Sequence, residues 1–230
     1  MLNIVLLLAF TLATPSASPS PAAEPFRLSV NGAGSQGTLV FTAGGVSFEA
    51  ADAKKSRQWP YHELKQIRLV SPREIALDTF EDGSRWRFSA DRTVEFDVTE
   101  GTIDGDLVAF LLANVSRPVT SAVLPGQLGE PSARAGAKHL RGRRGTHGTI
   151  AVYASGLAYE TAVPRGSRYW RFADVESILR TSPFKLLINV YEHGKVRPFA
   201  FELKAPLPDG AFDYAWDQVN TPAERRGEAR

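Results

Sequence analysis

The chain contains its own sequence twice. Laying Gly37 on Gly148, a shift of 111 residues held without a gap, brings Gly45 onto Gly156, Glu49 onto Glu160 and Ser56-Arg57 onto Ser167-Arg168. The same shift brings Trp59 onto Trp170, Ile67 onto Ile178, Ser71-Pro72 onto Ser182-Pro183, Gly83 onto Gly194 and Phe88 onto Phe199. Pairs such as Leu39/Ile150, Phe48/Tyr159, Tyr61/Phe172 and Leu77/Ile188 exchange like for like. A match of this length reads as a duplicated domain, so one fold must explain both halves.

Within each copy the apolar residues alternate. Thr38 to Thr42, a turn at Ala43-Gly44-Gly45, and Val46 to Glu49 read as a β-hairpin, repeated by Thr149 to Tyr153 and Leu157 to Glu160. Arg57 and Trp59, with Arg168 and Trp170, sit on a following strand, which Pro60 makes an edge or ends. Glu81-Asp82-Gly83 and Glu192-His193-Gly194 read as hairpin turns, with glycine where φ is positive. Trp86 to Ser89 and Pro198 to Glu202 return as the last strand, and Thr93 to Val98 adds a strand in the first copy alone.

The period then changes to that of a helix. Leu107, Val108, Leu111, Leu112 and Val115 form one stripe, and Phe212, Ala215, Trp216 and Val219 the other. Asp104 and Asp209 are placed as N-caps, and Arg117-Pro118 and Thr221-Pro222 as stops. The chain is expected to be mainly β with C-terminal helices. Each copy carries about seven antiparallel strands closed by one helix.

The ends read differently. Residues 1–18 have the form of a signal peptide, with an apolar run from Ile4 to Ala13 too short to span a bilayer and small residues after it. Residues 19–25 are a Pro/Ala/Ser tether, which leaves 26–117 as domain one and 137–221 as domain two. Residues 118–136, rich in Pro, Gly, Ala and Ser without a steady period, read as a linker, and 222–230 as a charged tail. Export to the periplasm or the extracellular space follows, with anchoring by residues 4–13 as the alternative.

The order of elements resembles that of pleckstrin-homology-like domains, and the local phrasing resembles the bacterial PH and GRAM group. The residues that carry it are Gly37-Thr38-Leu39 near the start, the segments Tyr61-His62-Glu63-Leu64-Lys65-Gln66-Ile67 and Phe172-Ala173-Asp174-Val175-Glu176-Ser177-Ile178, the Asp82-Gly83 turn and the closing helix. The resemblance implies two tandem PH-like β-barrels. It also implies a function in binding lipids or peptides, or in scaffolding.

Chemistry is sparsely signalled. No cysteine is present, which excludes a disulfide framework, a thiolate zinc site and a cysteine nucleophile. His62, His139, His147 and His193 show no metal-ligand spacing and read as exposed loop or strand histidines. No cofactor is expected. Arg57 and Arg168 are placed as repeat-equivalent surface residues able to pair with Glu49 and Glu160, and Trp59 and Trp170 as packing residues.

One charge cluster stands out in a chain of net charge +2: Lys138, Arg141, Arg143 and Arg144, in the first hairpin of the second copy. The resemblance puts a headgroup-gripping hairpin there, whereas a solvated basic edge is the plainer reading. The function expected is non-enzymatic binding or scaffolding through an unidentified protein or an anionic envelope component, with membrane-surface contact and without nucleic acid. The alternative is a small hydrolase-type enzyme on a β-barrel without a recognisable motif.

Overall fold

The computed structural model describes residues 24–82, 91–142 and 144–221. The segment expected to be a signal peptide, most of the expected tether, the Trp86 to Ser89 segment, Gly83, Phe88, Arg143 and the expected tail lie outside these residues.

Seven strands form the first set: β1 (Phe26–Gly32), β2 (Ser35–Phe41), β3 (Gly45–Ala50), β4 (Arg57–Pro60), β5 (Leu64–Ser71), β6 (Glu74–Asp82) and β7 (Asp91–Glu100). The helix α1 (Gly105–Asn114) follows, then a short β8 (Val119–Ser121). The second set is β9 (Ala133–Arg141), β10 (Arg144–Val152), β11 (Gly156–Glu160), β12 (Arg168–Arg171), β13 (Val175–Ser182), β14 (Lys185–Glu192) and β15 (Lys195–Leu203), followed by α2 (Asp209–Asn220).

Both sets use one ladder order. The first runs β5-β6-β7-β1-β2-β3-β4 and the second β13-β14-β15-β9-β10-β11-β12. Alternation builds the cores: in β14, Leu186, Ile188 and Val190 are buried while their neighbours are more open. Each set encloses its own apolar cluster, one around Trp59 and Phe96, the other around Trp170 and Phe201. Leu107, Val108 and Leu111 of α1 seal the first, and Ala211 and Ala215 of α2 the second.

The expectation of two separate seven-strand barrels is corrected. The strands form one open sheet of fifteen, because β8 pairs parallel with β5 and antiparallel with β12. The stretch 118–136 is therefore not an aperiodic linker. It contains β8 and the first residues of β9, which begins at Ala133 rather than at position 137. Ala133 and Ala135 are buried in the second core, which explains why so small-residued a segment is a strand.

The repeat is also not gapless throughout. Leu77 faces Val94 across the β6–β7 ladder, and its counterpart Ile188 faces Phe199. Val94, not Phe88, thus occupies the place of Phe199, and Thr93 to Val98 belongs to the first copy's seventh strand rather than to an extra one. The shift changes because residues 83–90 separate β6 from β7, whereas His193-Gly194 alone, at φ 54° and 72°, turn β14 into β15.

At the helix starts the two copies differ. Asp104 caps α1, its carboxylate accepting from the Leu107 N–H at 2.9 Å. Asp209 is not a cap: it lies inside the first turn after Pro208, and its carboxylate takes Arg180 at 2.6 Å. Trp216 leaves the buried stripe and is 45% exposed, since Ala211 and Ala215 are the α2 residues fully buried against the sheet.

Candidate functional site

The second copy's first hairpin is longer than the first copy's. Ala133 faces Val152 at its base as Phe26 faces Phe41, but β9 and β10 have nine residues each where β1 and β2 have seven. Both hairpins turn on two residues, Ala33-Gly34 in the first, so the second extends by two residue pairs, about 7 Å. Those pairs are Leu140 with Gly145 and Arg141 with Arg144. Arg141 and Arg144 of the basic cluster thus stand on an added tip, and Lys138 lies before it.

Beside this tip lies a cleft of about 740 Å³. Arg141 enters it from β9, Lys195 and Arg197 from β15, Arg168 from β12, Arg165 from the loop before β12, and His193 from the β14–β15 turn. Glu192 is the single carboxylate of the lining, and it is committed: Arg168 Nε donates to it at 2.9 Å. Arg165 is paired at 2.6 Å with Glu74, which is not part of the lining. No ion pair to Arg141, Lys195 or Arg197 occurs among the described residues, and the buried Arg197 Nε has no hydrogen-bond partner.

The floor is aromatic. His139 is 4% exposed, stacked on Phe199 with ring centroids 5.1 Å apart and set edge-on to Tyr159 at 5.8 Å. Burial pushes its pKa down to about 4, with Arg141 and Arg168 adding to the effect. His193 is also lowered, by burial first and then by Arg68 and Arg197. Arg165 and His193 both sit on left-handed backbone, at φ 58° and 54°. A non-glycine residue there costs on the order of 1 kcal/mol.

The first copy supports these strained positions. Gln66 of β5, wholly buried, accepts from the His193 N–H at 2.8 Å and donates to the Tyr191 carbonyl at 2.8 Å and to Thr120 Oγ1 at 2.9 Å. Together with the bond from Glu74 to Arg165, this makes β5 and β6 a backing plate for the cleft.

Among the described residues the first copy differs at the cleft floor. Its ladder puts Gly32 opposite Phe96, where the second puts His139 opposite Phe201. A Cβ on Gly32 would lie 2.4 Å from the Phe96 ring, so no side chain fits there.

The residues singled out from sequence are scattered by this geometry. Arg141 lines the cleft and Arg144 faces it across the hairpin, exposed. Lys138 lies along Gly145 on the opposite face of β9. Trp59 and Trp170 are 2% and 0% exposed, the latter edge-on to Phe199 at 4.9 Å. Arg57 is exposed opposite Phe48, a register that puts Glu49 on the other face. Glu49 instead pairs with Arg27 at 3.1 Å, Glu160 with Arg134 at 3.7 Å, and Arg168 with Glu192.

His62, His147 and His193 are exposed, whereas His139 is not, because it lies on the same buried face of β9 as Ala133, Ala135 and Ala137, where β9 meets β15. Arg165, Lys195, Arg197, Glu192 and the cleft role of His139 were not read from sequence. A signal existed: Lys195, Arg197 and Phe199 alternate along one strand face.

A second cavity, of about 420 Å³, lies between α1, α2 and the segment Pro125–Leu128. Arg171 sits in its wall with its donors used. They reach Asp174 at 2.8 and 3.0 Å and the carbonyls of Leu112, Val115 and Arg117 at 2.8, 2.7 and 2.8 Å. Among the described residues no group of three His, Asp or Glu could hold a metal ion.

No family model and no curated protein matches this chain. Solved structures with a likeness include the C-terminal domain of an unknown protein from Leishmania infantum. That match has 9% identity and a TM-score of 0.31, and it covers 39% of this chain and 83% of that one. The Spt16D Pob3N heterodimer has 10% identity and a TM-score of 0.29, over 79% of this chain and 96% of that one.

Proposed function

We propose that this is a non-enzymatic, exported binding or scaffolding protein built of two PH-like modules. Each seven-strand set, with its own core and closing helix, is one such barrel, and the shared β8 welds them. Division of labour follows from the asymmetry of the copies. The second module binds an anionic group in its basic cleft, and the first holds that cleft open through Gln66 and Glu74. The observation that carries this reading is the convergence of Arg141, Lys195 and Arg197, none in a described ion pair, on one cavity. Side chains of one sign in a concave site raise the local concentration of counter-ions.

The test replaces Arg141, Lys195 and Arg197 together with Gln. Two probes separate the sources of the anion: vesicles containing phosphatidylglycerol, and heparin as a soluble polyanion. The native chain should bind at least one of them, about tenfold more weakly when salt rises from about 0.05 to 0.3 M. The triple variant should lose binding while keeping its melting temperature. A native chain that binds neither probe ends the proposal. Export is checked by the mass of the mature protein, whose N-terminus should fall between Ala17 and Glu24. Intact Met1 in a cytoplasmic fraction would contradict it.

A further inference from the structure

His139 is a titratable ring in a place that packing alone would fill with an apolar one. Phe199, Phe201 and Tyr159 surround it at centroid distances of 5.1, 5.1 and 5.8 Å. Its Nδ1 is buried and has no hydrogen-bond partner. A buried polar atom without a partner is rare and calls for an explanation.

Here the atom belongs to a residue that lines the cleft. The groups facing it are overwhelmingly positive. Arg141 is on its own strand, with Arg144 across the hairpin from Arg141. Lys195 and Arg197 stand on β15, Arg168 on β12, Arg165 on the loop before it, and His193 on the neighbouring turn. Glu192 alone is negative, and it is taken up by Arg168. The elements packed beside the ring add only neutral groups, Thr146 opposite it on β10 and Phe201 opposite it on β15. In the empty cleft a proton on His139 therefore meets repulsion from several directions. An anion in the cleft reverses that sign.

We infer that the cleft binds a compact, multiply charged oxyanion together with one proton, which His139 takes up, so that the site tightens as the solution becomes more acidic. This rests on the anion-binding reading of the cleft. An anion within about 4–6 Å favours the charged ring and raises a histidine's pKa, on the order of 1–2 units. A group that titrates near 4 in the empty site would then titrate near 5–6 in the filled one. By linkage, affinity rises about fourfold between pH 7.5 and pH 5, and about half a proton is taken up per anion near pH 5.5. A sulfate ester suits the test better than a phosphate, whose own second proton leaves near pH 6.

The experiment is calorimetric titration of the full chain with inositol hexasulfate at pH 7.5 and 5.5. Each titration is run in two buffers of different ionisation enthalpy, which counts protons taken up. The native chain should take up about half a proton at the lower pH and bind more tightly there. His139→Phe keeps the ring stack and His139→Gln keeps a polar group. Whichever of them folds should bind with no proton uptake. The proposal falls if uptake persists in these variants, or if it vanishes in His193→Gln instead. Binding that is lost in the Arg141/Lys195/Arg197 variant but is independent of pH removes the proton coupling and leaves the anion site standing. No binding at either pH removes both.

Discussion

At the scale of single residues, burial decides more than type. His139 shows this most plainly, because between about pH 4 and 6.5 the ring is neutral in the folded chain and charged in the unfolded one. Its pKa is pushed down to about 4 in the folded state, by burial first. The unfolded ring titrates near 6.5. Above about pH 6.5 neither state carries the proton and the fold has its full stability. As the pH falls through the window from about 6.5 to 4 the unfolded chain takes the proton first, so stability is lost. The loss approaches about 3 kcal/mol at the lower end. Chemical denaturation at pH 7 and pH 4.5 should show this in the native chain, and a folded His139→Phe variant should show a shallower decline. An equal decline in both would mean that another group governs the acid response. Gly32 is the mirror case, since its lack of a side chain is what lets Phe96 fill the first core.

Among the elements, the joint between the copies rests on one side chain as well as on β8. Arg171, at the end of β12, reaches back to the C-terminal end of α1 and bonds the carbonyls of Leu112 in its last turn, of the C-cap Val115, and of Arg117 just beyond. Such groups have no partner within a helix, and a cation there also meets the negative end of the helix dipole. The same guanidinium holds Asp174, whose carboxyl burial raises above its ordinary range against the opposing pull of Arg171 and the Val119 N–H. Removing Arg171 leaves that carboxyl buried and unpaired. Arg171→Met should therefore cost about 3–5 kcal/mol, measured by denaturant unfolding of the full chain. A cost below about 1 kcal/mol would show that the joint behaves as a surface contact. The hairpin β9–β10 differs in kind: its two added pairs lie beyond the core, so they change what the domain can touch and not whether it folds.

Across the whole molecule, duplication has produced two cores and one sheet. Ala151, Tyr153, Ala158 and Tyr169 form a small cluster of their own, covered by Leu112, Leu124 and Leu128 from the first copy and the segment after it. The second set of strands thus has an apolar patch outside its own core that residues of the first copy and of the segment after it cover. A fragment covering 132–221 retains both the second core and all of β9. It should fold, but with lower stability than the full chain and with more binding of a hydrophobic dye. A fragment starting at position 137 should be weaker still, because Ala133 and Ala135 leave the core. Equal stability of the two fragments would show that the start of β9 contributes nothing.

The repeat, the strand and helix types, the Asp104 cap, the edge position of Pro60 and the His193-Gly194 turn were legible in the chain. Each depends on neighbours close in sequence, where side-chain period and backbone preference act directly. The welding of two modules by β8 was not legible, because a three-residue strand takes its identity from partners 50 residues away on either side. Nor was the cleft. Its cations come from β9, β12 and β15, brought together by the β9–β15 ladder that closes only after the chain has folded. Sequence determined the alternation that turns Lys195 and Arg197 to one side. Tertiary structure alone decided that Arg141 and a buried His139 would meet them there, since contact and desolvation are properties of the packed chain.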